Sequence, residues 1–193
     1  SKFNKGEYLS AIEDFNRVLE ENREDADAWT RIGDSLRHLN RFPESLKCYD
    51  KALDLDHVNS QAMFGKAEVL KALERSDEAL ELLDQAITHE KGSAKAWQRR
   101  GTLLKEMGHI EEAQQSFAKA AELDPNSSVL WTEQAMTLYS LGKLEEALKS
   151  MDKAVEAAPL DPDGWNSRGV MLYELERHEE ALRSYEKALT LNQ

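Results

Sequence analysis

The chain has 193 residues, 40% of them hydrophobic, enough for a substantial core, and a formal net charge of −12. So acidic a balance supplies no basic footprint for a phosphate backbone, which excludes nucleic acid as an expected partner, and no apolar run approaches the roughly 18 residues that a membrane span needs. Cys48 is the only cysteine, so no internal disulfide can form and a reducing, cytoplasmic setting is the expectation.

Periodicity dominates the rest. Trp29, Trp97, Trp131 and Trp165 are all the tryptophans, and steps of 34 residues from the first land on Met63 and then on each of the others, which marks a repeat architecture. In chain order, residues 1–25 read as a partial repeat, a second helix alone, with Gly6 at a turn and Ala11, Phe15 and Val18 at the small, aromatic and late positions. Full repeats are expected at 26–59, 60–93, 94–127, 128–161 and 162–193, the whole of 1–193 forming a single array. Four residues after each anchor stand Gly33, Ala67, Gly101, Ala135 and Gly169, all small as a close helix contact requires. Three further on is Leu every time, from Leu36 to Leu172. Later in each unit come a small residue (Ser45, Ala79, Ala113, Ala147, Ala181), a large one (Tyr49, Leu83, Phe117, Met151, Tyr185) and an invariable alanine (Ala52, Ala86, Ala120, Ala154, Ala188).

The apolar spacing within a unit is helical and breaks once. Gly108 and Gly142 mark the break, with Asn40, Glu74 and Glu176 in the same place, where a chain leaving a helix uses left-handed backbone angles. The second helix opens on acids (Glu44, Asp77, Glu78, Glu111, Glu112, Glu145, Glu146, Glu179, Glu180) and its last turns are expected to carry Lys51, Lys119, Lys153 and Lys187, complementing the helix dipole. Polar turns such as Asp124-Pro125-Asn126-Ser127 close the unit. The fold is therefore expected to be all-α, a solenoid of helix pairs in which each unit packs on its neighbours.

These residues resemble the tetratricopeptide repeat, whose W-x₂-L-G-x₂-Y…A-x₃-F…P pattern recurs in phase five times after the half repeat. The resemblance implies a right-handed superhelix of antiparallel helix pairs. Two departures stand out: the Leu place before the small residue holds Ile32, Lys66, Arg100, Gln134 and Arg168, which should weaken local packing, and the closing Pro survives only as Pro125 and Pro159. Array ends usually need polar caps, whereas the first unit lacks a first helix and Leu182, Tyr185 and Leu189 have no following helix, so the array reads as part of a longer chain.

No chemistry is encoded by spacing. His38, His57, His89, His109 and His178 form no His-x-x-x-His pair, Cys48 has no neighbouring histidine and sits beside the packed Tyr49, and the glycines form no phosphate loop. The expectation is no enzyme, no cofactor and no metal, and a partner that is a protein or peptide segment. The family resemblance implies that the first helices line a concave groove. Its outward places hold Arg31, Arg37, Phe64, Lys71, Lys95, Arg99 and Lys105 in the first three full units, with Asp27, Asp34, Glu68 and Glu106, and Met136, Tyr139, Val170 and Tyr173 in the last two, beside Val129. That pattern suggests an acidic stretch of the partner toward the first units and an apolar anchor toward the last. A family clamp for C-terminal carboxylates is only partly matched, by Lys95 and Arg99, with Asp34 opposing it, and a family asparagine ladder is replaced by Arg31, Gly65, Arg99, Glu133 and Ser167. A protein-interaction scaffold is the leading reading; the alternatives are a structural assembly that self-associates end to end and a regulatory segment of a larger enzyme.

Overall fold

The computed structural model describes residues 5–192; the first four residues of the expected half repeat and Gln193 lie outside the described residues. Those described fold into α1 (Lys5–Glu21), α2 (Ala26–His38), α3 (Phe42–Leu55), α4 (Ser60–Ala72), α5 (Ser76–His89), α6 (Ala94–Glu106), α7 (Ile110–Leu123), α8 (Ser128–Ser140), α9 (Leu144–Ala157), α10 (Pro162–Glu174) and α11 (His178–Leu191), with no strand among them. They form two compact units, Ser1–Lys91 and Gly92–Gln193. In the first, each helix from α1 to α5 packs on its sequence neighbour and α2 also meets α4; in the second, α6 to α11 pack in the same consecutive way. Gly6, expected at a turn, lies in the first turn of α1, where a glycine is tolerated because the leading N–H groups have no intrahelical acceptor.

Local chemistry sets the helix limits. Asp25, Asn59 and Ser93 cap α2, α4 and α6 by accepting from the N–H groups of Ala28, Ala62 and Ala96 at 2.8, 2.9 and 3.4 Å, and Asp161 caps α10 through Asp163 N–H at 3.1 Å; such a cap contributes about 1 kcal/mol. At the far end of each first helix the chain turns through positive φ, at Asn40 (58°), Glu74 (61°), Gly108 (84°), Gly142 (72°) and Glu176 (58°). The next N–H then reaches back five residues, as in Arg41 N–H to Leu36 O at 2.9 Å and Lys143 N–H to Leu138 O at 3.0 Å, closing the carbonyls that the helix leaves open.

The second helices start differently. A base stands at the cap position with no side-chain cap (Arg41, Arg75, His109, Lys143, Arg177), and an acid three residues on answers it in four cases: Arg41–Glu44, Arg75–Glu78 at 2.6 Å, His109–Glu112 at 3.3 Å and Arg177–Glu180 at 2.8 Å. The arginine hydrogen bonds hold the carboxyls of Glu44, Glu78 and Glu180 below their ordinary range. The expected lysines at the other end are not in the last turn of α3, α7, α9 or α11, which carry no base there. Lys119 instead bonds Glu122 at 3.0 Å and Lys153 lies 4.0 Å from the Trp131 ring centre, so side-chain partners rather than the dipole position them.

Packing between the two helices of a pair depends on a correlated choice. Gly33, Gly101 and Gly169 face Tyr49, Phe117 and Tyr185, where an added β-carbon would lie 2.8, 2.9 and 2.5 Å from the ring. Where the second helix offers Leu83 or Met151, the first carries Ala67 or Ala135. Tyr49 is fully buried and pressed from a second side by Gly65, whose added β-carbon would come within 2.4 Å. The core of the first unit joins Leu19, Ile32 and Leu36 in one cluster and Tyr49, Ala52 and Val69 in another; that of the second is built on Leu130, Trp131, Leu138, Met151 and Leu172. Cys48 is buried, and burial pushes its thiol up to about 11.

Three indoles make one recurring bond: Trp29, Trp131 and Trp165 donate to the carbonyl six residues earlier, of Arg23, Pro125 and Pro159, at 3.1, 2.8 and 3.0 Å. The Trp97 indole nitrogen is buried without a partner. The departures at the Leu place do not simply weaken packing, as expected. Arg168 donates to Asp152 at 2.6 Å and to Ser184 at 2.8 Å, Arg100 donates to Ser116 at 2.8 Å, and Lys66 meets Asp50 at 2.7 Å. Each long cation thus ties helices together, its stem covering apolar surface; only Gln134 leaves a buried oxygen unpaired.

Candidate functional site

Helical spacing brings Met136 and Tyr139 onto one side of α8, and Asn166, Ser167 and Val170 onto one side of α10. With Met171 they line a cavity of about 100 Å³ in the second unit. Met171 is its buried floor, Tyr139 a half-buried wall, and Met136 and Val170 are 42% and 37% exposed at the mouth. Tyr173, one turn past Val170, is 60% exposed and its ring packs at a tilt on His178, centroids 5.2 Å apart. Three expected apolar residues are therefore brought together, with the fourth beside them. Met171 was missed because its position in the repeat points inward; the helical neighbour rule applied to Ser167 would have found it.

Lys105 of α6 donates to Glu133 of α8 at 2.5 Å, and its ammonium lies 5.5 Å from the Phe117 ring centre. Arg168 is the only cation on α8 and α10 and is engaged with Asp152 and Ser184. Asp163 and Glu174 remain exposed at the two ends of α10. Lys95 is exposed and Arg99 half-buried on α6, four residues apart.

Of the expected cations of the first unit, Arg31 and Lys71 are exposed, whereas Arg37 is engaged within the chain. Arg37 of α2 bridges to Glu68 of α4 at 2.6 Å and stands 3.9 Å from Asp34, whose carboxylate accepts the Tyr49 hydroxyl at 2.8 Å. Burial disfavours the Arg37 charge, but Glu68, Tyr49 and Asp34 outweigh it and raise its pKa above the ordinary value; burial, then Asp34, push the Tyr49 phenol up. Arg37 is thus a cross-link between α2 and α4. Phe64 is a second correction: at 4% exposure it belongs to the interior, because α4 buries residues 62–65 together with Ala67, Val69 and Leu70. Arg31 is exposed and borders a cleft of about 300 Å³ together with Asp25 and Asp27. Lys71 is exposed at the end of α4.

Among the described residues no group of three or more His, Cys, Asp or Glu stands where a metal ion could be held, and no helix is long and apolar enough to cross a membrane.

Comparison of the sequence with curated proteins finds no significant match. Solved structures do resemble it. YrrB, a tetratricopeptide repeat protein with an unusual peptide-binding site, is 28% identical, with 93% of each chain covered and a TM-score of 0.73. MamA from Desulfovibrio magneticus is 16% identical, covering 86% of this chain and 94% of its own at a TM-score of 0.73, and PilF of Pseudomonas aeruginosa is 20% identical, covering 86% and 75% at 0.72; at those identities the likeness is one of fold. Three tetratricopeptide repeat family models match residues 24–89, 70–132 and 132–193. Their matches run through all the helix pairs described above, and the chain belongs to the tetratricopeptide repeat family.

Proposed function

We propose that the chain is a protein-interaction scaffold, not an enzyme, that takes a segment of another polypeptide on its first-helix faces, with the α8–α10 face as the principal anchoring surface and residues 26–59, 60–93, 94–127, 128–161 and 162–193 as its repeats. The observation that carries this is the cavity between Met136, Tyr139 and Val170, with Tyr173 exposed beside it. Exposed Met and aromatic side chains around a shallow pocket are the composition that interface centres favour. The peptide-binding site of YrrB, 28% identical over nearly the whole chain, supports the same reading. An acidic stretch in the partner has less support, because Arg37 and Lys105 are already ion-paired. Affinity capture with the chain and with a Val170→Asp variant tests the proposal: captured proteins should be lost from a variant whose circular dichroism and melting are unchanged, and the same set retained by the variant would refute it.

A second reading rests on α11. Leu182 and Leu189 are 58% and 67% exposed on one face of it, a stripe suited to end-to-end self-association. Light scattering over a concentration series should then show mass growing in the parent chain and not in Leu189→Lys; constant monomer mass removes this reading.

A further inference from the structure

Building on the reading of the α8–α10 face as a peptide-binding surface, we propose that it selects a segment carrying an aliphatic side chain and, two or three residues away, a Lys or Arg. The aliphatic group enters the cavity, and the cation lies over the C-terminal end of α10, against Tyr173 and Glu174.

Size sets the first half of the rule. A space of about 100 Å³ is well above what a single water needs, and it accommodates the branched end of Leu, Ile or Val. Two thioethers, Met136 and Met171, form part of its wall and floor, and flexible, polarizable side chains adapt to related aliphatic shapes without demanding one. Asn166 and Ser167 add polar groups to the rim, suited to the peptide backbone on either side of the anchor.

Charge sets the second half. Three independent features favour a cation at one place. Glu174 contributes an exposed carboxylate, Tyr173 a ring that stays 60% exposed with His178 packed at a tilt on one side, its open face attracting ammonium and guanidinium groups, and the end of α10 the negative pole of its dipole. On these two helices the one cation, Arg168, is committed to Asp152 and Ser184; beside them Lys105 is engaged with Glu133, and Arg177, just past α10, with Glu180. The spacing follows from helix geometry. Val170 and Glu174 are one turn apart, about 6 Å along the axis, a distance that two residues of extended chain cover at about 3.3 Å each. The net charge of −12 adds long-range attraction for a basic segment.

The probe is a random-peptide display library panned on the full chain, with the enriched peptides resynthesised and measured by fluorescence anisotropy. The expected consensus pairs Leu, Ile, Val or Met with Lys or Arg at a separation of two or three. Glu174→Lys should weaken such a peptide roughly five- to tenfold and reduce the salt dependence of its binding, and a peptide with Glu in place of its Lys should recover affinity on that variant. A consensus without the cation, or peptides indifferent to Glu174→Lys, overturns this selectivity while leaving the surface assignment standing if Val170→Asp still abolishes binding. Peptides that bind Val170→Asp as tightly as the parent chain, or a library that enriches nothing, overturn both.

Discussion

Replacing Gly101 with alanine should change the sign of its effect according to the residue at position 117. The new β-carbon would lie 2.9 Å from Phe117 Cε1, 3.0 Å from Cδ1 and 3.1 Å from Cγ. Because Cγ is attached directly to the β-carbon, rotating the ring about its own axis relieves little, and a fully buried Phe117 must shift bodily. Overpacking of this kind costs about 1–3 kcal/mol, while alanine gains about 1 kcal/mol over glycine inside a helix, so the expected net is a loss of about 1 kcal/mol. In a Phe117→Leu background Cε1 is gone and the branch, no longer part of a rigid ring, can turn aside, as the pairing of Ala67 with Leu83 requires, so the helical gain dominates, a stabilisation of roughly 0.5–1 kcal/mol. The coupling is then about 2 kcal/mol, well above the few tenths at which non-interacting sites add. The chain already contains both solutions, as Gly33 with Tyr49 and Gly169 with Tyr185 against Ala67 with Leu83 and Ala135 with Met151. Urea unfolding of the four proteins of the cycle, followed by far-ultraviolet circular dichroism and by tryptophan fluorescence, measures it. The same sign and size of effect in both backgrounds would refute the pairing of glycine with aromatic ring.

Cys48, held up to about 11 by burial against an ordinary value of 9.0, should react with a disulfide reagent at pH 8 roughly 100-fold more slowly in the folded chain than after unfolding; equal rates would mean the thiol is accessible. Glu176 occupies left-handed angles at φ 58°, so Glu176→Gly should raise stability by about 1 kcal/mol, read as a shift in the urea midpoint, and a loss would show that its side chain matters more than its backbone. Arg177→Ala should return the Glu180 carboxyl toward its ordinary value, seen by carbon NMR titration, since the arginine is the largest cause of its lowering. A depressed folded pKa stabilises above the unfolded value and is lost as pH falls through the folded one, so the parent chain should lose this contribution on acidification and the variant should lose less, keeping only what Arg168 and Arg183 supply.

Helix periods, turn positions and the Cys48 environment were legible because the 34-residue register and the neighbours in sequence decide them. The break at Asn40, Glu74, Gly108, Gly142 and Glu176 could be placed by register alone, and all five have positive φ, although two are glutamates that local preference would not choose. What was not legible depended on two residues meeting across helices. A long cation at the Leu place reads as a flaw until Asp152 and Ser184 are seen to receive Arg168. Lys153 reads as a dipole partner until Trp131 lies beneath it. Phe64 shows the opposite failure: its place in the repeat looked outward, but α4 is enclosed on nearly every side, and burial is a property of the neighbours, not of the residue.

The same pair of places accounts for the charged character of one unit and the apolar character of the other. Eight residues after one anchor meets five residues after the next: Arg37 pairs with Glu68 in the first unit, and Tyr139 stands with Val170 around the cavity in the second. If the register alone creates the contact, the side chains are exchangeable. Tyr139→Arg together with Val170→Glu should close the cavity with an ion pair, leave stability within about 1 kcal/mol because partly exposed pairs contribute little, and abolish capture of any partner anchored there. Each single substitution should also abolish capture, Tyr139→Arg by filling the cavity and Val170→Glu by placing a carboxylate at its mouth. The double variant should be more stable than the two single effects predict, since only it pairs both charges. A double variant that still binds would place the anchor elsewhere on the chain, and one whose stability is strictly additive would mean that these two positions do not meet across the helices.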